Sequence, residues 1–136
     1  MRVLLADDRP SLRSALRLLL EHETNMEVVG EEGSIGTLPL SINRTRPDLL
    51  FLDWRLPGLE TNSARRQLTT AVREIDPTLY IIALIADDND KSCLLFGADA
   101  FVNKAESPER IHLVLQQAVS KKSIVPSQAL DDHLLS

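Results

Sequence analysis

The sequence predicts an α/β fold in which five β-strands alternate with five helices, forming a doubly wound, five-stranded parallel sheet. Three observations carry this expectation. Val3–Ala6, Leu49–Leu52 and Leu79–Ile85 are apolar with almost no polar alternation, as in strands covered on both faces. Between such runs, apolar residues recur at helical spacing. The connections are short, as they are in β-α units.

The elements follow in order. Val3-Leu4-Leu5-Ala6 is the first strand, and Asp7-Asp8 follow it at once. Arg9 and Pro10 open the first helix. Its stripe is Leu12, Ala15, Leu16, Leu19 and Leu20, with Arg13 and Arg17 opposite, and it runs to about Glu23. Glu27–Glu31 is the second strand, at an edge of the sheet by its acidic flanks. The second helix, Ser34 to Arg44, is weakly patterned, and Pro39 implies either a first-turn proline or a kink. The third strand ends abruptly in Asp53, before the turn Leu56-Pro57-Gly58. A helix from Thr61 to Ile75 follows, closed by Asp76-Pro77.

Leu79–Ile85 is the fourth strand. The acidic stretch Asp87-Asp88-Asn89-Asp90 leads into a short fourth helix, Asp90 to Phe96, ended by Gly97. Ala100–Asn103 is the fifth strand, with Lys104 after it. Ser107 caps the fifth helix and Pro108 takes its first position. Its stripe is Ile111, Val114, Leu115 and Ala118, and Lys121-Lys122 close it. Residues 1–122 form one domain, and 123–136 read as a linker with a short helix.

Composition sets the outer limits. Of 136 residues, 43% are apolar and 26% charged, ordinary values for a folded domain with a real core. No window approaches the roughly 18 apolar residues of a membrane span. Met1-Arg2 leads straight into a strand without a signal-peptide layout, so a cytoplasmic location is expected. Cys93 is the single cysteine, which excludes an intrachain disulfide. A net charge of −5 without a basic run argues against nucleic-acid binding by this chain alone.

The charged residues at strand ends point to chemistry. If the strand order is 2-1-3-4-5, strands 1 and 3 are neighbours and Asp7, Asp8, Asp53 and Lys104 converge on one edge. Three carboxylates in one pocket repel one another unless a cation joins them. Hard oxygen ligands in a small site suit Mg²⁺. A carboxylate beside Mg²⁺ and a lysine is arranged to accept a phosphoryl group, because both cations neutralise charge on the transferred oxygens.

Four pieces in this order and spacing resemble the receiver domain of two-component response regulators, the CheY-like domain. They are Val3–Asp8, Asp53–Gly58, Gly97–Phe101 and Lys104. The resemblance implies the flavodoxin/CheY-like strand order 2-1-3-4-5. It implies that Asp53 is the phosphoacceptor, that Asp8 binds Mg²⁺ with Asp7 assisting, and that the Arg55 backbone carbonyl is a further ligand. Lys104 would contact the phosphoryl group. The implied donor is a phosphohistidine on a sensor histidine kinase. The chain would serve as a phosphoacceptor, not an enzyme, beyond self-catalysed phosphorylation and dephosphorylation.

The stretch from Ile124 to Leu135 looks like the linker of NarL/LuxR-class regulators, which leads to a helix-turn-helix output domain. That domain is absent here, so DNA would be contacted only through it. A truncated chain and a stand-alone receiver both stay open.

Three departures stand out. The family has Thr or Ser where this chain has Ile85, and that hydroxyl is coupled to an aromatic residue, here Phe101. The segment from Ile85 to Gly97 looks short, and Thr61 stands where Gly is frequent. These raise an alternative: an atypical receiver acting as a phosphorylation-independent dimerisation or protein-interaction domain. Homodimers would form through the first and fifth helices or through the helix 4–strand 5–helix 5 face.

Simpler readings apply elsewhere. Asp7-Asp8 could cap the first helix. Asp87–Asp90 reads as a helix cap, since it lacks the Gly and distal Glu of a calcium loop. Cys93 reads as a packed helix residue, and Trp54 as a partly exposed pocket wall. His22, His112 and His133 lie far apart and receive no catalytic role. A haloacid-dehalogenase-type hydrolase needs a second Asp where Arg55 stands, and a Rossmann enzyme needs G-x-G-x-x-G after strand 1.

Overall fold

The structure is a computed structural model. It is described for residues 1–23, 25–105 and 107–135, without the side chains of Asp88 and of 123–135. The strands are β1 (Arg2–Ala6), β2 (Glu27–Glu32), β3 (Leu49–Asp53), β4 (Tyr80–Ile85) and β5 (Ala100–Asn103). The helices are α1 (Pro10–Glu21), α2 (Leu38–Thr45), α3 (Asn62–Ile75) and α4 (Pro108–Leu135). A 3₁₀ segment, Asp88–Phe96, occupies the fourth helical position, so α4 is the fifth helix of the sequence pattern.

All strand pairs are parallel and the order is β2-β1-β3-β4-β5. Side chains alternate across β1. Leu4 and Ala6 join Leu38 and Ile42 of α2 and Leu68 and Val72 of α3. Val3 and Leu5 join Leu16 and Leu20 of α1 and Val114, Leu115 and Ala118 of α4. Each buried strand therefore feeds two cores, which is why its sequence shows no polar alternation. β2 is an edge strand, as its acidic flanks require.

Several boundaries move. α1 ends at Glu21, not Glu23, with Arg9 at its N-cap and no side-chain cap bond, so neither Asp7 nor Asp8 caps it. α2 starts four residues late, at Leu38. Pro39 sits in its first turn, where the missing N–H costs nothing, so the helix has no reason to kink there. Thr61 caps α3 by accepting a bond from the Ala64 amide at 3.0 Å.

The fourth helical segment is short and wound as 3₁₀, the irregularity expected from its length. It begins at Asp88, with Asp87 as the cap. Gly97 ends it at φ +114, and a Cβ there would overlap the Thr69 side chain. α4 does not stop at Lys122 but continues to Leu135, with Pro126 inside it. The expected linker, 123–136, thus has helical backbone to Leu135; its side chains, and Ser136, lie outside the described residues.

Candidate functional site

Parallel strands place their C-terminal ends along one edge, and three of them supply the site. Ala6 pairs with Leu52, so the next residues, Asp7 and Asp53, emerge side by side. The Lys104 amide donates to the Ile85 carbonyl at 2.8 Å, fixing the lysine beyond β4. Its long stem reaches back past β4. The Nζ lies 2.9 Å from Asp53 Oδ1 and 3.4 Å from Asp7 Oδ2.

Other bonds hold the acids in place. Asp53 Oδ1 also accepts the Arg55 amide at 3.0 Å. Asp7 Oδ1 accepts the Arg9 amide at 2.8 Å. Asp7 and Asp53 are buried, while Asp8 is exposed at the rim. Burial drives the Asp53 pKa above the usual carboxylate value. The Lys104 bond, the Arg55 amide and the lysine charge pull it back, and the charge of Asp7 pushes it up again.

Asp7, Asp8 and Asp53 each offer an oxygen within 4.8 Å of the others. Asp7 Oδ2 is buried and makes no hydrogen bond. Its one cation among the described residues is the Lys104 ammonium at 3.4 Å, and a hard cation would supply the close contact that this buried oxygen lacks. The donor set therefore fits Mg²⁺. Arg55 lies in the turn after β3, closed by the Leu56 amide bonding the Asp53 carbonyl at 3.0 Å.

The two positions expected to form a switch, Ile85 and Phe101, are placed differently. Ile85 is fully buried at the end of β4, within the apolar cluster that faces α2 and α3. Phe101 packs half-buried against the same cluster and pairs across the sheet with Ala83.

Trp54 corrects an expectation. It is fully buried, not a pocket wall. Its backbone amide donates to the Leu84 carbonyl, and its ring turns into the core beside Leu56 and Leu59. Arg65 covers it, with the guanidinium 5.3 Å from the ring centroid and Nε bonded to the Trp54 carbonyl at 2.8 Å. Cys93 is packed as expected, and burial pushes its thiol up to about 11.

One constellation was not foreseen. Arg55 Nη2 pairs with Asp87 Oδ2 at 2.9 Å, and Nε with Asp90 Oδ2 at 3.2 Å. The caps were legible, since Asp87 accepts the Asn89 amide at 2.8 Å. The partner was not. The signal was present in the adjacency of β3 and β4, which brings the loops after Asp53 and Ile85 together. His22 and His112 also come to one groove, despite their distance in sequence. They line an apolar groove between α1 and the start of α4, where His112 Nδ1 lies 2.6 Å from Glu23 Oε1.

Residues 3–116 match the response regulator receiver domain. The chain is 28% identical to a nitrate/nitrite response regulator homolog of Haemophilus influenzae, over 99% of this chain and 64% of that protein. It is 29% identical to the nitrate/nitrite response regulator NarP of Escherichia coli, over 98% and 61%. The chain thus spans less than two thirds of either relative. The receiver domain of the stress response regulator RcsB from Escherichia coli superposes with a TM-score of 0.75 at 26% identity, covering 90% of this chain and 94% of that one. The receiver domain of sensor kinase PA1611 from Pseudomonas aeruginosa, described with magnesium in its active-site cleft, gives 0.71 at 25%, covering 88% and 97%. With the β2-β1-β3-β4-β5 sheet and the strand-end acids in place, the chain belongs to the response regulator receiver domain family.

Proposed function

We propose that this receiver is a Mg²⁺-dependent phosphoryl acceptor, modified on Asp53 by a phosphohistidine of a sensor histidine kinase. The observation that carries the reading is the Lys104 ammonium set between Asp53 and Asp7 in a buried acidic pocket. Asp53 Oδ2, the oxygen not held by Lys104 and Arg55, is the nucleophile. It forms the new P–O bond as the P–N bond to the donor imidazole breaks, and the nitrogen keeps the electron pair. Lys104 neutralises charge on the phosphoryl oxygens. Asp7, Asp8, Asp53 and the Arg55 carbonyl would hold Mg²⁺. When bound, the ion supplies charge neutralisation and orientation of the phosphoryl group.

The chain performs no catalysis beyond this self-modification. It acts in the cytoplasm, and among the described residues no helix is long and apolar enough to cross a membrane. Its output, in a longer protein or a partner, is control of transcription, and a homodimer forms through α1 and α4. Leu18 and Leu113, both about half exposed or more beside the groove between these helices, support that face.

Treatment with acetyl phosphate and Mg²⁺ adds one phosphoryl group, read by intact mass, and Asp53→Asn abolishes the addition. An unmodified wild-type chain refutes the reading. A buried Ile85 favours a second one, a phosphorylation-independent interaction domain. It predicts the same self-association with and without the phosphodonor.

A further inference from the structure

We propose that Arg55 is a positioning residue that carries the state of Asp53 to the 3₁₀ segment, by exchanging Asp87 for an anion bound on Asp53. The inference rests on the reading of Asp53 as phosphoacceptor. It answers a question that reading leaves open: what links the site to the neighbouring surface when position 85 has no hydroxyl.

The geometry supplies the link. The Arg55 amide is bonded to Asp53 Oδ1, so the side chain is rooted at the pocket rim. Its guanidinium spans to the next loop and holds two acids of unequal standing. Asp90 is nearly buried, and the Ala86 amide lies 3.5 Å from its Oδ2. Asp87 is about half exposed, as is the Arg55 side chain itself. Exposed ion pairs contribute little and break readily. A phosphoryl-type anion offers guanidinium a forked, doubly charged partner and at the same time repels Asp87.

Asp87 is the residue on which the 3₁₀ segment starts. Releasing it frees the first turn of a segment whose hydrogen bonds are poor by nature. Asp90 keeps its contact with Arg55 or follows it, so the displacement passes into the segment. Leu94 and Leu95, on the outer side of the same segment, are exposed and would move with it.

The test uses the full chain with Mg²⁺ and beryllofluoride. Fluorine NMR reports occupancy of Asp53, and amide resonances of residues 87–96 report the segment. In the wild type, the bound-fluoride signal appears and these amides shift. In Asp87→Asn, which keeps a capping side chain, the bound signal persists and the shift is lost. Arg55→Gln, a second variant, also loses the shift. The inference alone falls if bound beryllofluoride leaves the wild-type amides unmoved, or if Asp87→Asn shifts as the wild type does. Absence of bound fluoride in the wild type overturns the phosphoacceptor reading and this inference with it.

Discussion

Lys104→Met removes the ammonium while keeping the stem, and the cost follows from two distances. At 2.9 Å from Asp53 and 3.4 Å from Asp7, an effective dielectric of about 20 makes the attractions roughly 6 and 5 kcal/mol. Relief of the lysine's own burial offsets part of this, since its side chain is only 14% exposed. Removing one member of a buried ionic cluster leaves a net loss of about 3–5 kcal/mol. The loss is capped by protonation. Asp53 already holds its proton above the usual range, and without Lys104 it holds it higher still. The variant is therefore least stable near neutral pH and recovers toward pH 5. Urea unfolding at both pH values, without divalent ions, measures this. Added Mg²⁺ narrows the gap, because a second cation then meets the same carboxylates. A loss below about 1 kcal/mol at pH 7 would show that the lysine's contacts are solvated and that the pocket is not an electrostatic unit.

Asp53→Asn is expected to be more stable than the wild type at pH 7 without Mg²⁺. The native state binds the Asp53 proton more tightly than the unfolded chain, so ionisation costs stability as pH rises from the unfolded pKa through the raised native one. Thermal melts from pH 4 to 7 should show the advantage growing upward; a constant offset would contradict it. Gly97→Ala forces a side chain into φ +114 against Thr69 and should lower stability by at least about 1–3 kcal/mol, measured by denaturant unfolding. The Cys93 thiol, buried and pushed up to about 11, should react with a disulfide reagent at pH 8 only after unfolding; rapid native labelling would contradict its packing.

Trp54 and the start of the second helix depart from expectation for separate physical reasons. Trp54 follows the acceptor acid in sequence, and that neighbourhood suggested a pocket wall. Which way a residue just beyond a strand turns depends on the helix that covers it, here α3 with Arg65. The second helix began late because Pro39 fits a first turn and not an interior. His22 and His112 share a groove only because α1 and α4 lie on the same sheet face.

What the chain declared by itself was whatever depends on near neighbours. Apolar runs without alternation announced buried strands, Gly97 and Asp76-Pro77 announced helix ends, and strand-end charges announced the site. Strand order came only through resemblance, since periodicity says nothing about which strands pair. Tertiary structure alone decided the reach of Lys104 across β4, the burial of Asp7 Oδ2 without a hydrogen bond and the grip of Arg55 on Asp87 and Asp90. Those depend on where separate loops emerge from a folded sheet, a long-range property that no local spacing encodes.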